Sequence, residues 1–309
     1  MEKQRFSKSR TFNSVGGDKK ISQVKKIVTH INPDLDAIFS VWLLKRFLPA
    51  SPRGEPGWQE AEIEFCPSGS TFNHELVDSN PEVLHVDVGG GKLDHHQTNE
   101  FLSAAKLSFD YLLEERKGEK LSPLEEQALK LMVEVVNEVD NARELTWEEI
   151  KKPRYEFYLH ELFWGLRGLG ASDLETVQYG LKSLDAILHN FKNRLKAQEE
   201  IKEGQEFETI WGKVLALETG NEAVLREGEK EGYCLVVKKD PKEGGVRIYA
   251  LPSSKVDLQK AYDFLKAKDK GGEWFLHSSH KILLNESRTK PMKPTKLSLE
   301  EIIEVLKKG

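Results

Sequence analysis

Cysteine and long apolar runs are both scarce in this 309-residue chain. Its two cysteines, Cys66 and Cys234, lie far apart in short apolar runs that are typical of strands. We therefore expect buried thiols in a reducing cytoplasm rather than a disulfide. No stretch reaches the ~18 consecutive apolar residues of a membrane-spanning helix. The polar, basic start of the chain lacks the apolar core of a secretory signal, so the sequence predicts a cytoplasmic protein without membrane association.

An excess of positive charge is also missing. The chain has 51 Asp and Glu residues against 46 Lys and Arg residues, which gives a net charge of −5 and no general attraction for polyanions. An anionic substrate would need local positive charge, which a bound metal ion can supply. The sequence contains no HExxH, GxSxG, P-loop or paired CxxC motif, and its glycine run at 89–91 does not match the dinucleotide-binding fingerprint.

The N-terminal half does contain an alternation of strands and helices. Short apolar runs predict strands over 24–29, 61–66 and 83–88. Helices are predicted after the first strand, over 103–115, and over 122–140, where SPLE is a capping box with proline at the first helical position. This alternation predicts an α/β fold with a doubly wound, mostly parallel sheet.

The pattern changes in the second half from helix to strand. Residues 146–204 are predicted to be almost wholly helical, with a second capping box, SDLE, at Ser172. A further helix is predicted over 258–266, and a last one begins at Ser298 with Glu301 completing its cap. Strands are predicted over 207–217, 233–239, 246–252, 274–277 and 281–284. We expect a disordered basic tail at 1–22, an α/β domain with its helical connector at 23–203, and a smaller C-terminal α+β domain at 204–309.

Acidic and imidazole side chains are concentrated where these elements end. They are His30, Asp34 and Asp36 after the first strand, Asp87 at the end of the third, Asp94, His95 and His96 after the glycine run, and Asp140 at a helix end. In parallel α/β sheets, ligands bind at the carboxyl ends of the strands. Segments that are remote in sequence can therefore converge on one crevice.

Two divalent cations would explain this concentration of acids. Carboxylates this close would repel one another strongly without a counter-charge. Mixed carboxylate and imidazole donors suit Mn, Mg, Co or Fe better than a thiolate-bound zinc. Two cations ~3.5–4 Å apart lower the pKa of a water molecule and stabilise charge on a phosphoryl group. Asp87 is suited to bridge them, because a carboxylate has two oxygens.

Each group also has a purely structural interpretation. A lone Asp after a strand is usually a helix cap, which is the simplest interpretation of Asp34. An isolated pair such as His95-His96 usually lies on the surface or fills a core. The occurrence of all four groups in this order favours the metal site.

These motifs resemble those of the DHH phosphoesterase superfamily, which includes family II inorganic pyrophosphatases, RecJ-type nucleases, nanoRNA and cyclic-dinucleotide phosphodiesterases, and Myg-type exonucleases. The segment HINPDLD from His30 resembles the first motif, Asp87 the second, Asp94-His95-His96 the third, and Asp140 in NEVDNA the fourth. All four occur in order, and the resemblance covers about residues 24–145.

The resemblance implies a role for each residue. One metal ion would be held by His30, Asp34 and Asp87, and a second by Asp36, Asp87, His95 and Asp140. The catalytic pair would be His96, which contacts or polarises the substrate phosphate, and Asp94, which orients a ligand histidine. The expected cofactor is two divalent metal ions, with manganese favoured and magnesium or cobalt as alternatives.

Within the superfamily, VDVGGGKLDHHQ most resembles the Myg-type group, in which the second and third motifs are close together and Gln follows the histidines. GGVRIYALP and EWFLH resemble the C-terminal half of that group more loosely. The first motif has the general NPD form, which departs from the Myg-type pattern. We therefore expect a prokaryotic relative of that group rather than an orthologue.

The C-terminal domain of this superfamily grips the substrate, often through a GGGH element that this chain lacks. The nearest feature is the loop HSSHK, with His277 and Lys281 as candidate substrate-binding residues and Arg288 following it. Positive and hydroxyl groups suit phosphate binding, although a solvated basic loop has the same composition. Arg247 is a further candidate, with an ordinary outward-facing strand residue as the alternative.

The leading hypothesis is a two-metal-dependent phosphodiesterase or exonuclease that acts on short oligonucleotides or nucleotide-like substrates. A manganese-dependent pyrophosphatase is an alternative, suggested by SRTK at 287–290 and disfavoured by the close spacing of Asp87 and Asp94. A non-catalytic metal- or nucleotide-binding module is a third hypothesis, which the intact ligand positions disfavour. The expected partner is a phosphorylated small molecule or short oligonucleotide, and a homodimer is an assembly that the sequence allows.

Overall fold

The structure is a computed structural model that describes residues 24–48, 58–116, 120–286 and 291–308. The tail expected at 1–22 and the candidate residue Arg288 lie outside these described residues. The chain forms two compact units. Unit 1 takes the described residues within Met1–Lys120 and Val133–Leu184, and unit 2 those within Leu121–Met132 and Asp185–Gly309.

Unit 1 contains a short parallel sheet. Its strands are β1 (Lys26–His30), β2 (Glu62–Cys66) and β3 (Val83–His85), in the order β2-β1-β3. The central strand β1 carries Ile27 and Val28, which are fully buried, as a strand covered on both faces requires. The parallel pairing sets His30 opposite Cys66 and Val28 opposite His85. The predicted α/β class with a parallel sheet is confirmed, while the doubly wound layout stays a prediction.

Five helices are described between β1 and the second sheet of the chain, and two of them extend from one unit into the other. They are α1 (Leu35–Phe47), α2 (Ala104–Glu115), α3 (Pro123–Asp140), α4 (Leu159–Gly168) and α5 (Asp173–Lys202). The division between the units falls inside both α3 and α5, and the domain boundary expected at 203/204 stays a prediction. Residues 144–157 form short 3-10 turns instead of the predicted helix. Pro153 explains the break at Lys152, because proline has no N–H to continue a helix.

Caps define the helix ends as the sequence predicts. Ser172 and Glu175 exchange side chain and backbone hydrogen bonds at the start of α5. Ser298 and Glu301 form the same capping box at the last helix. At α3, the Ser122 hydroxyl accepts the N–H of Glu125. Each such cap satisfies N–H groups that the first helical turn leaves without an intrahelical partner.

Unit 2 is built around a six-stranded mixed sheet in the order β4-β5-β6-β7-β9-β8. The strands are β4 (Gln205–Thr209), β5 (Gly212–Glu218), β6 (Leu235–Lys239), β7 (Val246–Ala250), β8 (Phe275–Leu276) and β9 (Ile282–Leu284). β5 and β6 are parallel, and the other neighbours are antiparallel. The prediction of a single strand over 207–217 is wrong, because the chain turns between Thr209 and Gly212, and Gly212 has a positive φ of +118°.

Alternation along β5 separates two packed layers in unit 2. Val214 and Ala216 belong to one core, and Leu215 and Leu217 belong to another. The helices of this unit are α6 (Ala223–Lys230), α7 (Gln259–Lys268) and α8 (Leu299–Leu306). Both cysteines are free thiols, with Cys66 buried and Cys234 partly buried. Within the described ranges, none of the helices combines the length and the apolar character that crossing a bilayer demands.

Candidate metal centre

The predicted acids and histidines lie where elements of unit 1 begin or end. His30 is the last residue of β1, and Asp34 is the N-cap of α1, where its carboxylate accepts the N–H of Ala37. Asp87 follows β3, and Asp140 is the last residue of α3. Because β1 and β3 are parallel neighbours, their carboxyl ends open at the same edge of the sheet.

The side chains meet at this edge through short polar contacts. From His30 Nε2, Asp87 Oδ2 is 3.3 Å away and Asp34 Oδ1 is 3.9 Å away. From His95 Nε2, Asp140 Oδ2 lies at 3.3 Å, Asp87 Oδ1 at 3.5 Å and Asp36 Oδ2 at 3.7 Å. All six residues predicted as metal ligands therefore belong to one cluster, and their role as ligands stays a prediction.

The cluster resolves into overlapping groups that could each hold a cation. These groups are His30, Asp34 and Asp87; Asp36, His95 and Asp140; and Asp87, His95 and His96, each with donor atoms within 4.8 Å of one another. Asp87 faces His30 with Oδ2 and His95 with Oδ1. Asp87 could therefore contribute one oxygen to each of two cations.

Three buried atoms in the cluster that could bind a metal ion lack a hydrogen-bond partner among the described residues. They are Asp87 Oδ1, His95 Nε2 and Asp140 Oδ2. A buried polar atom without a partner is destabilising unless a ligand satisfies it. The donor set of carboxylate oxygens and imidazole nitrogens fits hard or borderline divalent cations. The residues present therefore fit the metal ions that the sequence predicts.

Electrostatics make the same region unfavourable without a counter-charge. Burial, followed by repulsion from neighbouring carboxylates, raises the pKa of Asp36 and of Asp87 well above the usual range. Burial and repulsion from Asp34 raise the pKa of Asp140 to about 7. Burial lowers the pKa of His95, which favours the neutral imidazole that a cation needs. Metal binding at such a cluster competes with protons.

Asp36 has a second partner that the sequence does not reveal. Its two carboxylate oxygens accept the N–H groups of Ala104 and Ala105, at 2.6 and 2.7 Å, in the first turn of α2. A helix N-terminus stabilises an anion there. The contact joins residues far apart in the chain, so the helix predicted over 103–115 carries no signal for it. It fixes the orientation of Asp36, and a carboxylate that accepts two hydrogen bonds still has lone pairs for a cation.

The predicted catalytic pair forms a short hydrogen bond. His96 Nδ1 lies 2.6 Å from Asp94 Oδ1, and the other oxygen of Asp94 accepts the N–H of Gly90 at 2.7 Å. Burial alone would raise the pKa of Asp94, but hydrogen bonds from the His96 N–H, the Gly90 N–H and the His96 ring outweigh it and lower that pKa. The sequence predicts that Asp94 orients a ligand histidine, and here its histidine partner is His96, the residue expected to face the phosphate.

The loops of the centre have unusual backbone conformations. Asp87 has φ of +58° although it is not glycine, and Asn32 in the first motif has the same value. Gly90 has φ of +71°, a conformation that glycine adopts without steric penalty. Left-handed conformations in non-glycine residues cost about 1 kcal/mol and are concentrated at functional sites.

Two residues outside the predicted motifs hold the loop after β1 in place. The Arg167 guanidinium donates to the carbonyl oxygen of Pro33, the residue before Asp34. The N–H of Asn32 donates to Asp173 Oδ1 at 3.1 Å. Neither contact is visible in the sequence, because Arg167 lies in α4 and Asp173 begins α5, where the pattern predicts only helical structure.

The predicted substrate-binding residues of unit 2 have partners of their own. Arg247 donates to Glu286 Oε1 at 2.7 Å and to Glu222 Oε2 at 2.6 Å. The Lys281 ammonium donates to the carbonyl oxygens of Ser254 and Val256 at 2.7 and 2.5 Å.

In the β8–β9 hairpin, His277 Nδ1 lies 2.8 Å from the hydroxyl of Ser279. The substrate roles of Arg247, His277 and Lys281 stay predictions.

Comparisons with known proteins add a distant likeness. No family model matches the chain, and no curated protein matches it either. Among solved structures, the chain is similar to RecJ in complex with Mg²⁺ from Thermus thermophilus, at 14% identity and a TM-score of 0.29, over 93% of this chain and 50% of that one. The chain therefore spans half the length of that RecJ.

Two other solved structures show likeness at similar levels. The DHH domain of a member of the s1p family of ribosomal proteins has 13% identity and a TM-score of 0.32, over 93% of this chain and 87% of that one. A protein from Helicobacter pylori G27 has 13% identity and a TM-score of 0.23, over 92% and 98%. These likenesses are remote.

Proposed function

We propose that this protein is a two-metal-dependent phosphoester hydrolase that cleaves phosphodiester bonds in short oligonucleotides or nucleotide-like substrates. The observation that carries the proposal is the set of three buried donor atoms, on Asp87, His95 and Asp140, that have no hydrogen-bond partner among the described residues. A centre of this composition is suited to phosphoryl transfer, in which charge develops on oxygens that cations stabilise.

The ligand assignment follows the geometry of the cluster. His30, Asp34 and Asp87 would hold one cation, and Asp36, His95 and Asp140, together with Asp87, would hold the other. When bound, a pair of divalent cations lowers the pKa of water and offsets the negative charge of a phosphoryl group. We propose manganese as the native metal, with magnesium or cobalt as substitutes, because oxygen and imidazole donors suit all three.

His96 and Asp94 would handle the proton. The carboxylate of Asp94 holds Nδ1 of His96, so Nε2 is the ring nitrogen left to reach a substrate oxygen. The His96 side chain is 63% exposed, whereas that of Asp94 is 4% exposed. A histidine held in this way is oriented to donate a proton to the leaving oxygen.

The first experiment measures hydrolysis of a phosphoester panel by the full chain with Mn²⁺, Mg²⁺ or Co²⁺. The panel contains a 5′-phosphorylated dinucleotide and inorganic pyrophosphate. We expect cleavage of the dinucleotide that depends on the cation and stops when a chelator is added. The variant His95→Asn should be inactive, and His74→Asn, which changes an exposed histidine of the same unit, should match the parent. Equal turnover by parent and His95→Asn would refute the proposal.

A second experiment tests the proton donor. Replacing His96 by Ala should slow dinucleotide cleavage about 100-fold, the low end of typical general-acid contributions. Cleavage of a p-nitrophenyl nucleotide ester should change far less, because that leaving group needs no proton. Equal losses with both substrates would exclude His96 as the acid and leave the metal centre in place.

A further inference from the structure

A stacked arginine and phenylalanine border the candidate metal centre without belonging to it. The guanidinium of Arg143 lies over the ring of Phe101, 4.3 Å from its centroid. Phe101 still exposes 45% of its surface. Among the residues that the structure describes, no carboxylate forms an ion pair with Arg143, which leaves its N–H groups available to an incoming anion.

Hydrogen bonds at the end of α3 join the two backbone segments that carry the pair. The N–H of Arg143 donates to the carbonyl oxygen of Glu138 at 2.8 Å, and Ala142 adopts a left-handed φ of +54°, as in a Schellman helix end. The Asn141 side chain donates to the carbonyl oxygen of Leu102 at 3.0 Å. The segment that carries Phe101 is thereby tied to the helix end that carries Arg143.

Both residues adjoin the metal centre along the chain. Arg143 follows Asp140 by three residues, and Phe101 follows His96 by five. Asp140 Oδ2 and His95 Nε2, which lie 3.3 Å apart, join the same two segments inside the cluster. Ala104, three residues after Phe101, donates its N–H to Asp36 in the same cluster. Each residue of the stacked pair therefore lies three residues from a residue that belongs to the cluster or contacts it.

The chemistry of the pair suits one nucleotide unit. A guanidinium that stacks on an aromatic ring keeps its N–H edge free for bidentate contacts with a phosphate. An exposed aromatic ring can stack on a nucleobase, which favours ligands that carry a base. An exposed arginine–aromatic contact by itself stabilises a protein only slightly, so a contribution to stability explains little of this arrangement.

We propose that Phe101 and Arg143 form a nucleotide subsite, in which a base stacks on Phe101 and a phosphate binds Arg143. This inference rests on the proposed function and narrows its substrate class. The centre would select phosphodiesters that carry a base, and inorganic pyrophosphate would gain nothing from the Phe101 ring. Phe101 is then a specificity-determining residue for the group next to the bond that is cleaved.

The test is equilibrium binding by titration calorimetry, with the metal-loaded full chain and two ligands that have no diester bond. AMP carries a base, and ribose 5-phosphate is the same ligand without it. We expect the parent to bind AMP at least fivefold more tightly. Phe101→Leu should lower the affinity for AMP about tenfold and leave the affinity for ribose 5-phosphate unchanged, and Phe101→Tyr should restore AMP binding. Arg143→Gln should lower the affinity for both ligands, because both carry the phosphate.

Phe157→Leu is the matched control, since Phe157 lies in the same unit and is 82% exposed, and it should bind both ligands as the parent does. Equal affinity of the parent for AMP and ribose 5-phosphate would overturn the subsite, as would an unchanged affinity of Phe101→Leu for AMP. If the parent hydrolyses the dinucleotide and yet Phe101 has no effect, only the subsite fails. If no phosphoester is hydrolysed, the proposed function fails, while the comparison of AMP with ribose 5-phosphate still decides the subsite.

Discussion

Lys238 in unit 2 and Asp87 in unit 1 are both buried ionisable residues, and their surroundings differ. In unit 2, Lys238 is 1% exposed and its ammonium donates to Glu222 at 2.6 Å. Arg247 donates to the same glutamate and to Glu286. In unit 1, Asp87 is 2% exposed, and its Oδ1 has no hydrogen-bond partner among the described residues. Buried charges with partners stabilise a particular packing, whereas buried polar atoms without hydrogen-bond partners mark a place where a ligand can bind.

The backbone follows the same division. Unit 2 has one described non-glycine residue with a left-handed φ, His280 in a hairpin turn. Unit 1 has six, namely Asn32, Asn73, His74, Asp78, Asp87 and Ala142. Of these, Asp87 belongs to the metal cluster. Asn32 and Ala142 each lie within two residues of a cluster residue in the sequence, Asn32 next to His30 and Asp34, and Ala142 next to Asp140. Strain and unsatisfied polar atoms therefore occur together in the unit where we propose the chemistry.

The largest expected effect comes from Asp87→Asn. Asparagine keeps the shape of the side chain and tolerates the left-handed backbone, but it removes the charge that both cations would share. We expect dinucleotide hydrolysis to fall about a thousandfold, since cations supply several kcal/mol of charge stabilisation. In the presence of a chelator at pH 8, urea unfolding should show a free energy of unfolding that is higher by roughly 2 kcal/mol, because a buried carboxylate that repels its neighbours is gone. A large loss of stability in that buffer would mean that Asp87 is structural.

The opposite outcome is expected for Lys238→Met in unit 2. Removing a buried ammonium leaves carboxylates with a missing partner, which costs roughly 3 kcal/mol. Urea unfolding should report this loss, and calorimetric Mn²⁺ affinity of the folded protein should stay at the parental value. The matched variant is Lys239→Met, which removes a partly exposed ion pair with Glu218 at 3.2 Å and should change stability by less than about 1 kcal/mol. Similar losses in the two variants would erase the distinction between the units.

An intermediate effect is expected for Arg167→Gln. Its guanidinium holds the carbonyl oxygen of Pro33, so losing it should loosen the loop that positions Asp34. We expect Mn²⁺ affinity, measured by calorimetry, to fall about tenfold, which is typical when a group that orients a metal ligand is lost. Arg154→Gln, which changes a side chain paired with Glu149 at the surface, is the control. Unchanged Mn²⁺ binding by Arg167→Gln would show that the loop needs no support from α4.

The smallest effect concerns backbone strain. Ala142→Gly should stabilise the protein by about 0.5–1 kcal/mol, because glycine adopts the left-handed conformation without steric penalty. Ala186→Gly in the middle of α5 should destabilise it by about 1 kcal/mol, since glycine is a poor helix former. Chemical denaturation in the presence of a chelator would measure both changes. Two losses of equal size would show that Ala142 is not strained.

The sequence by itself determined the class of fold and the identity of the clustered residues. Apolar runs located β1 to β3, capping residues located the starts of α3, α5 and α8, and the order of acids and histidines located the centre. These features are local, because strand pattern, helix capping and motif spacing depend on neighbours in the chain. The hairpin of β4 and β5 escaped prediction, since its apolar residues continue through the turn.

Only the tertiary structure decided which partner each functional side chain has. The contact of Asp36 with the start of α2, the support of Pro33 by Arg167 and the pairing of Arg143 with Phe101 join residues that are dozens of positions apart. The hydrogen bonds that Arg247 donates to Glu222 and Glu286 also join residues that are distant in sequence. Such contacts depend on how strands and helices pack, which no periodicity within a single segment encodes.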